Sequence, residues 1–176
     1  GLKAFLRKTY NNLYTVDLFC HGVYSHKILK SEISYWERKL DGKISNFKFR
    51  SKRRYPWRAA GVINFDIESN GKHQHKEILM PGSPSYRSFV DSYNLRPSCY
   101  TCRFRSENRY GDLSVGDAWR LIDTEEIESK RESKYGISSI FVNSVKGEEL
   151  LMMIKDRINT FEYSREHAYC QAALLQ

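Results

Sequence analysis

Asn70-Gly71 is the feature that most narrows the folds open to this chain. Asparagine followed by glycine suits a two-residue hairpin turn, because both central positions of that turn need positive φ and these two residues tolerate it. The flanking runs read as its strands: Gly61 to Glu68 (GVINFDIE) enters, and His73 to Leu79 returns. An antiparallel ribbon is therefore expected in the middle of the chain. Ile44 to Arg50, which alternates Ile44, Asn46, Phe47, Lys48 and Phe49, is a further strand.

On either side of this ribbon the periodicity changes. Ser25 to Leu40 places Ile28, Leu29, Ile33, Trp36 and Leu40 at helical spacing, with Gly42 as its C-terminal stop. Leu2 to Tyr10 reads as the end of a helix, with Leu2, Phe5 and Leu6 on one face. Helices are also expected at Tyr86 to Asn94 and Gly147 to Asn159. Leu13 to Cys20 (LYTVDLFC) and Ser138 to Asn143 (SSIFVN) are apolar enough to be buried strands. Leu113 to Val115 is a shorter strand, Thr160 to Ser164 a last one, and Thr124 to Lys134 a charged loop or exposed helix. Alternation of this kind implies a mixed α/β (α+β) fold, with one mixed β-sheet, flanking helices and an irregular loop around Cys99 and Cys102. The 176 residues suit a single domain, and no Pro/Gly-rich linker divides them.

Composition bounds the function classes. Net charge is +8 and the pI is about 9.3, a balance that favours anionic partners such as phosphorylated cofactors, nucleic acid or acidic protein surfaces. The concentrated basic stretch is Lys48 to Arg58, where Phe49, Tyr55 and Trp57 interrupt Lys48, Arg50, Lys52, Arg53, Arg54 and Arg58. Arginine and lysine beside aromatic rings suit phosphate binding with ring stacking, and equally a solvated basic loop. No apolar run approaches the roughly 20 residues of a membrane span, and no amino-terminal signal sequence is visible, so a cytoplasmic protein is expected.

The cysteines are Cys20, Cys99, Cys102 and Cys170. In Arg96-Pro97-Ser98-Cys99-Tyr100-Thr101-Cys102, two thiolates two residues apart can face one metal ion or cluster from a single turn. Cys20 ends a strand and precedes His21-Gly22, a position from which it can point into a site; as a residue type it is equally at home as a small buried hydrophobe. Cys170, among Ala and Leu, reads as buried; a cluster held by four cysteines would take either it or a cysteine outside this chain as the fourth ligand. Spacing alone leaves open a structural pair, a zinc site of Cys20, His21, Cys99 and Cys102, a zinc-binding nucleic-acid module, and an iron–sulfur site. A second constellation is Gly111-Asp112-Leu113-Ser114-Val115-Gly116-Asp117-Ala118-Trp119, a strand and turn with Asp112 and Asp117 at its ends and Trp119 either stacking on a ring or filling core. No Gly-x-Gly-x-x-Gly fingerprint of a Rossmann nucleotide site is present.

These segments together resemble one family. Thr15 to Val23, Phe49-Arg50-Ser51-Lys52 with Trp57, Arg96 to Phe104, Gly111 to Trp119, and Tyr135 to Asn143 with Lys146-Gly147 are similar, in that order, to motifs in the C-terminal domain of the beta subunits of coenzyme F-420 (deazaflavin) hydrogenases and dehydrogenases. The resemblance covers roughly residues 1 to 150 and implies an iron–sulfur flavoprotein oxidoreductase. Such a protein passes electrons between a 4Fe-4S cluster, FAD and an acceptor, which is a deazaflavin or another small molecule. It implies Cys20, Cys99 and Cys102 as cluster ligands and a fourth cysteine in a Thr-Pro-Cys-Gln segment before Gly1. On this view the chain is an internal fragment of a longer protein. Arg50, Lys52, Arg53, Asp117 and Trp119 are the expected cofactor contacts. A redox partner protein or subunit is implied as well, with no nucleic acid and no membrane span. Tyr24, Ala118 and Arg120 depart from the family pattern, and the last two bear on the neighbourhood of Trp119 and on the identity of the substrate.

Overall fold

The structure, a computed structural model, describes residues 2–49, 51, 62–79, 82–118 and 136–164. A five-residue helix, α1 (Leu2–Leu6), leads to the short strand β1 (Val16–Leu18). Helix α2 (His26–Lys39) follows, then the strands β2 (Lys43–Lys48), β3 (Val62–Ser69) and β4 (Lys72–Leu79). Two short helices, α3 (Pro84–Val90) and α4 (Pro97–Tyr100), precede β5 (Leu113–Asp117). Strand β6 (Ser138–Val142), helix α5 (Val145–Ile154) and a 3-10 turn at Lys155–Arg157 complete the order. The expected α/β class holds. Among the described residues the strands form two sheets of three, where one mixed sheet was expected.

The central ribbon forms as its turn dictates. Asn70 and Gly71 have φ of 51° and 69°, and β3 pairs antiparallel with β4 from Val62↔Leu79 to Ser69↔Lys72. Strand β2 adds to β3 on the other side, with a register shift between Ser45 and Lys48 where Asn46 takes φ 51°. This meander carries the main core: Ile63, Phe65, Ile67 and Tyr86 are buried, with Trp36, Leu40, Ile44, Phe47, Phe49 and Ile78 packed against them. Helix α2 thus delivers Trp36 and Leu40, and α3 delivers Tyr86, onto the middle strand.

Three helix ends differ in detail from the sequence reading. Asp41 (φ 45°), not Gly42, adopts the left-handed conformation that ends α2, and the Gly42 N–H donates to the Glu37 carbonyl at 3.0 Å. Helix α3 begins at Pro84, earlier than Tyr86, because the Ser83 hydroxyl accepts the Tyr86 N–H and proline is preorganised for the first helical position. It ends at Val90, before Asn94, because Ser92 turns left-handed (φ 60°) and the Tyr93 N–H closes onto the Ser88 carbonyl.

The second sheet has the order β1-β5-β6, with β1 parallel and β6 antiparallel to β5. Its outer strands are not the buried strands expected. Val16 and Leu18 are 55% and 67% exposed, and Ile140 and Val142 also face outward. The inward positions are taken by Asp17, Ser114 and Phe141, which share a face through the register Asp17↔Ser114↔Phe141. A polar network occupies that face, so the apolar alternation lies outside. Residues 160–164 form no strand, contrary to expectation, and Thr124 to Lys134 lies outside the described residues.

Candidate functional site

The loop from Arg96 to Gly111 is anchored to the segment after Cys20 by main-chain pairing. Ser25 N–H donates to Asn94 O at 2.8 Å, Arg96 N–H donates to Val23 O at 2.7 Å, and Tyr24 bridges Leu95. Gly22 makes this close approach possible. Its φ is +137°, and a Cβ there would lie 2.9 Å from a Leu95 methyl carbon. As a result the Cys99 Sγ accepts the Val23 N–H at 3.3 Å, three residues beyond Cys20. Hydrogen bonds to ligating sulfurs are one lever by which proteins tune metal–sulfur centres.

The cysteine turn is braced from within. Proline at the first position starts α4, and the Cys102 N–H donates to the Cys99 carbonyl at 3.4 Å. The Tyr100 hydroxyl accepts the Leu95 N–H at 3.0 Å and donates to the Ser92 carbonyl at 2.9 Å, so the residue between the two cysteines fastens the turn to the end of α3. Arg105 reaches back to the Cys99 carbonyl at 3.5 Å. Cys20, Cys99 and Cys102 are all free thiols; Cys20 is exposed and the other two half-buried.

Soft thiol donors on two adjoining segments suit an iron–sulfur cluster by ligand chemistry. The segments adjoin but the ligand set is not closed: among the described residues, no group of three or more His, Cys, Asp or Glu side chains is gathered closely enough to hold a metal ion. The His21 Nε2 lies 2.7 Å from the Phe89 carbonyl, which can only accept, so that nitrogen carries the ring proton and Nδ1 holds the lone pair; the ring packs edge-on against Phe89.

Phe89 also belongs to an aromatic cluster that ties this corner to the basic stretch. Tyr24 stacks on Phe49 with centroids 4.4 Å apart, and Phe49 meets Tyr86 and Phe89 at 4.9 and 5.3 Å. Burial, reinforced by the nearby Glu32 carboxylate, raises the Tyr24 phenol pKa above its usual value. Of the expected cofactor contacts, Arg50, Lys52, Arg53 and Trp119 lie outside the described residues, as does Cys170. Asp117 is exposed at the end of β5, opposite Ser138. Ala118 is fully buried beside Ile137 and joined to it by a 3.0 Å main-chain bond.

Two carboxylates organise the sheet end. Asp112 is buried and accepts from Thr15 N–H at 2.8 Å, Thr15 Oγ1 at 2.6 Å and Ser144 Oγ at 2.8 Å, so it joins β1, β5 and the start of α5. Asp17 accepts from Arg109 Nη2 at 2.7 Å and from the Gly111 N–H at 2.9 Å. Burial pushes the Asp17 carboxyl upward, but hydrogen bonds from Ser114, Arg109 and Gly111 outweigh it and hold the pKa below the ordinary aspartate value. Sequence reading missed Arg109. The only local signal is an arginine at the exit of the cysteine loop, two residues before Gly111, and its partner is 92 residues away.

Residues 1–165 match the family described as the C terminus of the Coenzyme F420 hydrogenase/dehydrogenase beta subunit. The chain belongs to that family. Neither the curated proteins nor the solved structures gave a match. Membership makes this a chain of the redox class, related to the beta subunits of enzymes built from more than one subunit, so protein partners come with the family. Among the described residues of this family member, no helix is long and apolar enough to cross a membrane.

Proposed function

We propose that this beta-subunit relative is an electron-transferring domain in which Cys20, Cys99 and Cys102 supply thiolates to a 4Fe-4S cluster and the basic stretch around Arg50, Lys52 and Arg53 receives the phosphates of FAD. Asp117 and Trp119 are assigned to the cofactor on the family resemblance. The observation that carries the reading is the pairing of residues 23–25 with residues 94–96, which sets the Cys99 sulfur 3.3 Å from the Val23 amide, next to the Cys20 turn. The cluster supplies one-electron transfer, and the flavin exchanges one- for two-electron chemistry with a deazaflavin or other small-molecule acceptor. The chain's own residues hold and orient. Val23 offers its N–H to sulfur, Tyr100 fixes the turn, and the His21 ring is held against Phe89.

Anaerobic purification of the natural protein, with iron, sulfide and flavin determined per chain and the reduced cluster observed by electron paramagnetic resonance, tests this reading. Iron and acid-labile sulfide in equal amounts are expected, lost in Cys20→Ser, Cys99→Ser and Cys102→Ser. One zinc per chain without iron, or iron retained in all three variants, overturns it.

A further inference from the structure

We propose that Arg109 is a positioning residue that sets the distance between the Cys20 segment and the Cys99–Cys102 loop; this rests on reading those cysteines as ligands of one centre. Its side chain is 7% exposed and its guanidinium bonds in two directions. Toward β1, Nη2 donates to Asp17 Oδ1 at 2.7 Å and to the Leu18 carbonyl at 2.9 Å, and the cation lies 4.6 Å from the centre of the Phe19 ring. Toward the loop, Nη1 donates to the Phe104 carbonyl at 3.1 Å and the Ser106 carbonyl at 3.4 Å. Nε donates to Asp17 Oδ1 at 3.2 Å and Ser114 Oγ at 3.1 Å.

The partners bracket the thiols. Residues 17–19 lead directly into Cys20, and residues 104 and 106 follow directly after Cys102. The far sides of the same two segments are joined by the pairing of residues 23–25 with 94–96. Arg109 therefore closes the second end of a frame whose first end is main chain, and the three cysteines lie between the two ends. A planar fork with fixed donor directions can span two segments at one separation. A lysine ammonium, a single point with rotatable donors, cannot hold both directions at once.

A role confined to stability would lower the melting temperature of Arg109 variants and leave the thiol geometry as it is. The test uses the natural protein, with Arg109→Lys and Arg109→Gln beside Gly71→Ala, which destabilises the distant hairpin. In the cluster-loaded protein, iron loss to a chelator is expected to be about tenfold faster in both Arg109 variants, as for other outer partners of metal ligands. The electron paramagnetic resonance spectrum should change with it, while Gly71→Ala leaves both unaltered. In metal-free protein in which every cysteine except Cys20 and Cys102 is replaced by serine, nitroxide labels at those two positions report the separation directly. A broadened distribution is expected in the Arg109 variants. Unchanged chelation kinetics together with an unchanged distribution overturn the proposal, and so does failure of both variants to fold, which would leave Arg109 a stability role alone. If the natural protein holds no iron, the cluster reading fails by itself, and the label measurement still decides what Arg109 does.

Discussion

Asp17 and Gly147 show how much of this corner depends on single atoms. The folded Asp17 carboxyl titrates below its unfolded value because Ser114, Arg109 and Gly111 donate to it, against the upward pull of burial. The unfolded chain then binds the proton more readily. The stabilisation is complete above the ordinary aspartate pKa of about 4 and is lost as pH falls through the lower folded value. Denaturant midpoints measured from pH 6 downward should therefore fall more steeply below about pH 4 in the natural protein than in Asp17→Asn; parallel curves would refute the assignment. At Gly147 a Cβ would collide with the Asp112 carbonyl oxygen, which is backbone and cannot swing aside as a flexible side chain would. Gly147→Ala should cost about 1–3 kcal/mol by overpacking, seen as a lower denaturation midpoint at unchanged slope. A midpoint within error of the natural protein would mean that α5 slides freely on Asp112.

At the scale of elements, the β3–β4 hairpin is the most strongly specified unit. Its turn needs positive φ at Asn70 and Gly71, and nothing lies within 4 Å of a Cβ built at Gly71. The penalty of Gly71→Ala is thus conformational and not steric, about 1–2 kcal/mol, and the melting temperature should fall correspondingly; an unchanged or higher melting temperature would contradict the turn assignment. The helices illustrate the opposite case. Periodicity located α2 and α3, but their ends depend on Asp41 and Ser92 entering the left-handed region, which aspartate tolerates and serine does not announce. Their closing bonds, Gly42 N–H to Glu37 O and Tyr93 N–H to Ser88 O, are what make those conformations worthwhile.

Across the whole molecule, the two sheets differ in how firmly they are built. The meander owns the fully buried Ile63 and Phe65 and the nearly buried Ile67, whereas the sheet β1-β5-β6 exposes Val16, Leu18, Ile140 and Val142 of its outer strands. Local stability follows buried apolar contact. Hydrogen exchange should accordingly be slowest at the β3 amides and faster in β1 and β6; the reverse order would show that the polar network of Asp17, Arg109 and Asp112 outweighs the apolar core. The joint between the sheets is the pairing of residues 23–25 with 94–96, and the cysteine loop hangs from that joint.

Sequence by itself determined what acts over a few residues. The hairpin turn follows from the φ tolerance of Asn70-Gly71, the helices from 3.6-residue spacing, and the cysteine turn from Pro97 and two closely spaced thiols. The same ordered motifs were enough to indicate the family. Tertiary structure decided what depends on distant partners. The inward face of β1 went to Asp17 and not to Val16 or Leu18, because an arginine 92 residues further on supplies the charge and donors that make a half-buried carboxylate favourable. The split into two sheets, the Cys99 sulfur beside Val23 and the frame closed by Arg109 have the same origin. Each is a contact between segments far apart in the chain, and no local pattern encodes a partner that only folding brings near.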